Sequence, residues 1–280
     1  LIGEDERFSF VINIDHVKYC WIDIEFQQAE FFIQPGQSYE IDINWKEQSL
    51  TTSYYNRTGL PHKIIKDDDD HLNNSIQDFN QLYNEFLLNY SQKIRSGSSK
   101  SAYDNFILAI ELRFQNATNT FFKDYIRYKT ASMQLFMRLK SRENIGAEYL
   151  AGQPVLYDHL EYMDFFHLYF EKYFLSGGKY FDYNKTYDMV NGQASLPEIF
   201  DSLKSDPVLN DAEIRELLLL DGLKELYNVS GFKKNRITLH NCATDQQSNG
   251  AISTSLFISS LNTVFAHSRA LYHKTSEYLP

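Results

Sequence analysis

The chain has 280 residues, of which 43% are hydrophobic and 23% charged, and these proportions are typical of a folded globular protein rather than a disordered one. The formal net charge is −10, and no local cluster of Lys and Arg offsets it, so nucleic acid is not expected as a partner. The sequence has no run of about eighteen apolar residues, so no membrane span is expected. Aromatic content is high, with 20 Tyr, 21 Phe and 2 Trp.

The first 45 residues have the alternating pattern of short β-strands. Apolar side chains recur at every second position around residues 8–14, 22–26 and 39–43, which predicts strands that place one face on a core. The sequence 34–37 (Gln-Pro-Gly-Gln) favours a type II turn, because Pro fixes one φ angle and Gly accepts a positive φ at the next position. Residues 1–45 are therefore predicted to form a β-meander that belongs to a larger sheet or sandwich.

Helical periodicity follows a linker predicted over residues 46–66, where Gly and Pro punctuate a polar stretch. Apolar and aromatic residues are then spaced by three and four positions, which aligns them on one stripe of a helix: Leu72, Ile76, Phe79, Tyr83, Phe86 and Tyr90. Further helices are predicted near residues 103–114, 121–140, 158–174, 214–227 and 251–272. Ser195 and Asn210 each begin a capping-box sequence, which predicts a helix start. The predicted fold class is α+β, with a short antiparallel β unit (a partial sandwich) before a larger all-helical domain over residues 67–280.

Charged and imidazole side chains do not combine into a metal-binding pattern. The acidic run 67–70, followed by His71, could hold a hard cation such as Ca²⁺. A solvated helix N-terminus is the better interpretation, because consecutive side chains point in different directions and no EF-hand spacing follows. Two histidines, His159 and His167, are eight positions apart, which is too far for one ion on a straight helix, and they are expected to be packing residues. No metal-ligating residue is predicted.

Motifs of catalysis are also missing from the sequence. Cys20 and Cys242 do not form a Cys-x-x-Cys pair, which argues against a thioredoxin-type redox site and a zinc ribbon within these residues. The sequence has no Gly-x-Ser-x-Gly elbow, no P-loop and no dinucleotide fingerprint. The chain is therefore predicted not to be an enzyme, with no catalytic residue, no cofactor-binding residue and no cofactor.

An aromatic stretch over residues 157–174 covers more than one face of a helix. Four of its side chains are candidates for facing a sugar or peptide ligand: Tyr162, Phe166, Tyr169 and Tyr173. The alternative is burial between neighbouring helices, with the Tyr hydroxyls bonded to polar partners, which is the more common role of such a helix.

Several of these segments together resemble a known family. Residues 31–41, an aromatic strand followed by a Pro-Gly turn and a Ser-Tyr strand, are similar to the N-terminal β domain of exported TlpA-like thiol-disulfide exchange proteins of Gram-negative bacteria. The resemblance continues through residues 121–128 and 153–157, the aromatic helix 162–174, and residues 206–209 and 214–217. In that family a thioredoxin domain with a Cys-x-x-Cys site follows the helical region. The motif is not in this chain, so no catalytic residue carries over.

The resemblance implies a non-catalytic accessory or interaction region of an exported thioredoxin-family protein, located in the periplasm or cell envelope. It also implies further strands before Leu1 and a redox domain after Pro280, so the expected partner is a protein or that covalently following domain. Two alternatives stay open: a free-standing envelope module that binds glycans or peptides through exposed aromatics, and a hydrolase with an unrecognised acid pair. The sequence does not determine the oligomeric state.

Overall fold

A computed structural model describes residues 7–25, 27–45, 58–67, 72–95, 100–176, 179–191 and 196–228. Within these ranges five short strands come first and eight α-helices follow, which confirms the predicted α+β class. The chain divides into two compact units. Unit 1 consists of Leu1–Leu139 and Leu156–Phe165, and unit 2 consists of Lys140–Val155 and Phe166–Pro280.

A β-hairpin forms the first part of unit 1. Strands β1 (Lys18–Ile24) and β2 (Gln27–Ile33) pair antiparallel, and the short strand β4 (Thr58–Gly59) joins β2 in parallel. The order in this sheet is β1-β2-β4, so β1 lies at an edge of the sheet as described. Ala29 is fully buried on one face of the hairpin, whereas Trp21 is 54% exposed on the other. The face with Trp21 also contains Phe32, which is 6% exposed, so each face of the hairpin is buried in part.

The predicted turn forms, but it does not continue a meander. Gln37 donates its backbone N–H to the Gln34 carbonyl at 3.3 Å, and Gly36 has a φ of 74°, as a type II turn requires. Strand β3 (Tyr39–Ile43) then pairs with β5 (His62–Asp67) in a second, two-stranded sheet. The meander prediction is wrong because the turn carries the chain from one sheet to another.

The linker predicted over residues 46–66 contains regular structure. Both β4 and most of β5 lie inside this range, and the Leu60 side chain between them is buried. The Leu60 N–H donates to the Gln28 carbonyl of β2 at 2.8 Å. Pairing with distant strands orders residues 58–66, the described part of this stretch, and strands this short leave almost no periodic signal in the sequence. These strands correct the linker prediction.

Residues 8–14 form no regular secondary structure, so the strand predicted there is wrong. The rings of Phe8 and Phe10 stack at 6.0 Å, but Phe10 is 61% exposed and Val11 is 95% exposed. Alternating apolar residues become a strand only where a neighbouring strand supplies hydrogen-bond partners, and no described strand pairs with this segment.

The α-helices of the described ranges are divided between the two units. Unit 1 contains α1 (Leu72–Arg95), α2 (Lys100–Arg113) and α3 (Thr120–Phe136). Unit 2 contains α4 (Arg142–Tyr149), α6 (Tyr183–Asn191), α7 (Leu196–Ser202) and α8 (Ala212–Asn228), with short 3₁₀ turns at Leu203–Ser205 and Pro207–Leu209. Helix α5 (Leu160–Tyr169) has its residues up to Phe165 in unit 1 and the rest in unit 2. None of the helices in the ranges above is long and apolar enough to cross a membrane.

One hydrophobic core joins the strands of unit 1 to its helices. Phe32 of β2 lies in the same cluster of buried side chains as Leu72 and Phe79 of α1 and Phe122 of α3. The predicted stripe of α1 is confirmed, since its apolar members are buried or half-buried. The compact units therefore do not follow the predicted domain boundary at residue 66, because the strands cannot cover their buried face without α1 and α3.

A side chain completes the hydrogen bonding of β2. Asn73, in the first turn of α1, accepts from the Phe32 N–H at 2.8 Å and donates to the Phe32 carbonyl at 2.9 Å. Its amide thus bonds to the β2 backbone as a neighbouring strand would, beyond the point where the short β4 ends. Asn119 has a different role: it caps α3 by accepting from the Phe122 N–H at 3.1 Å, and it donates to the side-chain Oε1 of Gln34 at 2.8 Å.

Unit 2 contains helices that the sequence pattern did not predict, namely α4 and α6. Helix α4 begins where Ser141 accepts a hydrogen bond from the Asn144 N–H, but it is too short to display a periodic stripe. Helix α8 begins close to its predicted start, but Asp211 rather than Asn210 supplies the cap, accepting from the Glu213 N–H at 2.8 Å. Ser195 and the helix predicted over residues 251–272 lie outside the described residues.

An ion-paired cluster joins the start of β1 to the turn before α5 within unit 1. Lys18 Nζ lies 2.7 Å from one oxygen of Asp158, and His16 Nε2 lies 2.8 Å from the other. The hydrogen bond from Lys18, with smaller contributions from His16, holds the pKa of Asp158 below its usual range. The pKa of Asp158 is lower in the folded than in the unfolded state. The cluster therefore stabilises the fold fully at pH values above the ordinary carboxyl pKa, and this stabilisation is lost as the pH falls through the lowered pKa.

Replacing Lys18 with methionine is expected to lower the free energy of unfolding by about 0.5 kcal/mol near neutral pH, because both side chains of the pair are accessible to water. The loss should shrink in strong acid, where Asp158 is protonated. Urea unfolding followed by tryptophan fluorescence measures this in unit 1, which contains both tryptophans. The exposed Lys123→Met variant is the control, and equal losses for Lys18→Met at both pH values would contradict the assignment.

Candidate functional site

The four aromatics predicted to face a ligand do not line an open surface. Tyr162, Phe166 and Tyr169 are at most 4% exposed, and Tyr173 is half-buried. In unit 1 the Tyr162 ring meets Tyr128 edge-on, with centroids 4.9 Å apart. These positions correct the ligand-facing prediction and agree with the alternative, in which neighbouring elements bury the aromatic helix on more than one side.

The buried tyrosines of unit 2 bond to internal partners. Tyr169 donates its hydroxyl to the Arg142 carbonyl at 3.1 Å, and Tyr173 donates to Asp206 Oδ2 at 3.0 Å. Burial, followed by the Asp206 charge, raises the pKa of Tyr169 to about 12 and raises that of Tyr173 further. Asp206 also accepts from the Val208 N–H at 3.0 Å and so caps a 3₁₀ turn. Both hydroxyls are therefore protonated, structural donors at neutral pH.

A second buried carboxylate, Glu161, lies in unit 1 and is paired. Lys129 Nζ of α3 lies 3.1 Å from each oxygen of Glu161 on α5. Burial raises the pKa of Tyr83 and of Tyr125, and the negative charge of Glu161 adds to both shifts. Tyr125 donates to Asn80 Oδ1 at 3.0 Å. This cluster connects α1, α3 and α5. Its carboxylate is paired with Lys129, and the Tyr125 hydroxyl is bonded to Asn80.

Histidines and cysteines in the described ranges bring no metal site together: those ranges contain no group of three or more His, Cys, Asp or Glu side chains that could hold an ion. His159 is buried against Phe121, with ring centroids 4.2 Å apart, and burial lowers its pKa, which agrees with a packing role. His167 is about half exposed and lies 3.6 Å from Asp221, so the packing prediction is wrong for this residue. Cys20 is a half-buried thiol in β1 whose pKa burial raises.

Three features discussed from the sequence lie outside the described residues. They are the acidic positions 68–70, His71 and Cys242. Asp67, the first of the acidic run, ends β5.

The cavity that stands out in unit 2 is apolar. Its walls are Phe174, Phe181, Thr186, Met189, Ile199, Leu219 and Leu226. Thr186, its one hydroxyl-bearing side chain, donates to the Phe174 carbonyl at 2.7 Å. The cavity thus has the composition of a packing defect, without a polar group aimed inwards to orient a ligand.

One face of the β1–β2 hairpin is buried at Phe32, opposite Tyr19, and exposed further along at Trp21. In the hairpin register Trp21 lies directly opposite Glu30, and Asp23 lies opposite Gln28. Cross-strand partners project from the same face, so these four side chains and Tyr19, two positions before Trp21, form one surface, which we call the Trp21 face. Trp21, Asp23 and Glu30 are exposed.

Aromatic contacts and a hydrogen bond hold one end of the Trp21 face in place. The Tyr19 ring lies 6.0 Å from that of Trp21 and 5.4 Å from that of the buried Phe32. The Tyr19 hydroxyl donates a hydrogen bond to the Glu30 carboxylate; burial raises the pKa of Tyr19, and Glu30 raises it further. The face therefore presents an exposed indole beside a carboxylate that neighbours the Tyr19 hydroxyl.

Comparison with protein-family models, with curated proteins and with solved structures gives no match for this chain. The resemblance to TlpA-like proteins therefore stays a prediction.

The alternation in β1 predicts that Trp21 is exposed, a prediction that was not made because the candidate site was sought among the aromatic residues of the helices. In β1, Trp21 has the same phase as Asp23 and is out of phase with the apolar Ile22 and Ile24. A large aromatic residue on the polar side of a strand is expected to lie in solvent. Alternation alone could thus have identified this residue, but not the Glu30 opposite it, because the pairing register depends on the hairpin.

Proposed function

We propose that the chain is a non-catalytic interaction region that binds a protein partner through the Trp21 face, as an accessory to a thioredoxin-family redox domain. The observation that carries the binding role is Trp21, whose large ring is 54% exposed within a sheet whose other apolar side chains are buried or half-buried. Exposed tryptophan side chains are enriched at the energetic centres of protein interfaces.

The non-catalytic part of the proposal is supported by the hydrogen bonds and ion pairs of the buried carboxylates. Glu161 is paired with Lys129, and Asp206 accepts from Tyr173 and from the backbone of Val208. Buried carboxylates that hold helices and turns together in this way act as structural groups rather than as acid–base catalysts. The redox setting and the periplasmic or envelope location come from the sequence resemblance.

A site-specific cross-link tests this function. The photoreactive residue p-benzoylphenylalanine replaces Gln28 on the Trp21 face, and in a matched variant it replaces Phe136, which is 70% exposed elsewhere in unit 1. In cells that make the protein naturally, illumination should give an adduct at position 28 whose cross-linked peptide comes from a thioredoxin-type domain with a Cys-x-x-Cys site. An adduct pattern identical for positions 28 and 136 would contradict the binding role.

The alternative is a free-standing envelope module that binds glycans, and the exposed indole also favours it, because sugar rings stack on such surfaces. A thermal-shift survey separates the two functions. A sugar at about 100 times its Kd should stabilise the folded chain by about 2.7 kcal/mol. A stabilising sugar, combined with no protein adduct at position 28, would replace the proposed function with this one.

A further inference from the structure

We infer that the Trp21 face recognises a Lys or Arg side chain of the partner protein. This inference rests on the proposed function and gives the partner's chemistry. Indole is the aromatic side chain that binds cations best, and a cation within about 6 Å of the ring centroid gains the interaction. Because Trp21 is exposed, such a cation reaches its ring from solvent.

The carboxylate opposite the indole gives the same cation a second partner. Trp21 and Glu30 are directly paired across the hairpin, and paired residues have Cβ atoms about 5 Å apart. A guanidinium or ammonium group stacked on the indole is therefore within reach of the Glu30 oxygens. A carboxylate has about four acceptor positions, and the Tyr19 hydroxyl occupies one of them, so acceptors remain for the ligand.

Tyr19 prepares the site before the ligand arrives. Its hydroxyl holds Glu30, and its ring packs on Phe32, which is 6% exposed and belongs to the core of unit 1. A carboxylate that is already positioned loses less conformational freedom on binding than a free surface side chain. The site is thus anchored in the core, although the groups that meet the ligand lie in solvent.

Charge decides between a cation and a neutral sugar. The face contributes two carboxylates, Asp23 and Glu30, and none of its five members is cationic. The whole chain carries a formal charge of −10, so its long-range field attracts a basic segment. A neutral sugar could stack on the indole, but it would gain nothing from this field.

Fluorescence anisotropy of a labelled peptide of alternating threonine and arginine tests the site on the full chain. A peptide with citrulline in place of arginine keeps the shape and removes the charge. The arginine peptide should bind at least about fivefold more tightly than the citrulline peptide at low salt, and less tightly as the salt concentration rises. Cellohexaose, a neutral sugar, should not displace it.

Substitutions locate the binding. Trp21→Ala should weaken binding of the arginine peptide about fivefold, and Glu30→Gln about threefold. Two exposed controls in unit 1, Glu111→Gln and Phe136→Ala, should leave it unchanged. Circular dichroism of each variant verifies that it folds.

The outcomes separate this inference from the function on which it depends. Equal affinity for the arginine and citrulline peptides, or equal effects of Glu30→Gln and Glu111→Gln, overturns the cation site. If either result occurs while the protein adduct at position 28 persists, the interaction function stands and only the partner's chemistry is wrong. Displacement by cellohexaose overturns the inference in favour of a glycan.

Discussion

Replacing Phe79 with alanine is expected to lower the free energy of unfolding of unit 1 by about 3–5 kcal/mol, the cost of a large cavity in a packed core. Phe79 is fully buried in α1. Its ring makes edge contacts with Tyr125 of α3 at 5.8 Å and with Phe114 at 6.3 Å. Truncation removes these ring contacts, and Tyr125 on α3 and Phe114, just after α2, cannot both move to close the space.

Urea unfolding followed by tryptophan fluorescence measures this loss, since both tryptophans belong to unit 1. Phe136→Ala serves as the control, because that ring is 70% exposed on α3 and its removal should change the free energy of unfolding by less than about 0.5 kcal/mol. Similar losses for the two variants would mean that α1 does not pack on α3 as described.

Replacing Lys129 with methionine is expected to lower the free energy of unfolding by about 2–3 kcal/mol. Glu161 is nearly buried, and removing its partner leaves an uncompensated charge. Breaking a fully buried pair costs about 3–5 kcal/mol. A smaller loss of about 2–3 kcal/mol is expected here, because the Lys129 side chain is 27% exposed and water can reach the site.

The double variant Lys129→Met with Glu161→Met supplies the control. Two apolar side chains of similar length remove both charges, so most of the lost stability should return. The same fluorescence-detected unfolding measures all three proteins. A double variant that is less stable than Lys129→Met alone would contradict an unpaired charge as the cause of the lost stability. It would indicate that the aliphatic parts of Lys129 and Glu161 stabilise the fold by packing.

Local patterns in the sequence were sufficient where one element carries its own signal. The stripe that includes Leu72 and Phe86 predicted α1, because a helix repeats every 3.6 residues whatever it packs against. The Pro-Gly turn at residues 34–37 formed for the same reason, since its φ angles depend on the residues themselves. The fold class followed from the order of these periodicities along the chain.

Pairing partners were not readable in this way. The alternation at residues 8–14 is as regular as that in β3, yet only β3 meets another strand. Hydrogen bonds between strands join residues far apart in the sequence, so the same local pattern gives a strand in one place and an exposed segment in another. The apparent linker shows the reverse: residues 58–59 have no alternating pattern, yet they form β4 because they pair with β2.

For the aromatic residues, burial depended on which neighbours surround each ring. Composition established that this chain contains many rings, and helical spacing brought Tyr162 and Tyr169 onto one helix. Whether those rings meet solvent or protein is a property of the packing, and the packing covers them while leaving Trp21 exposed. The sequence therefore determined the elements and their amphipathic faces, because these depend on short-range geometry. Only the tertiary structure decided which face is covered, because that requires contacts between segments distant along the chain.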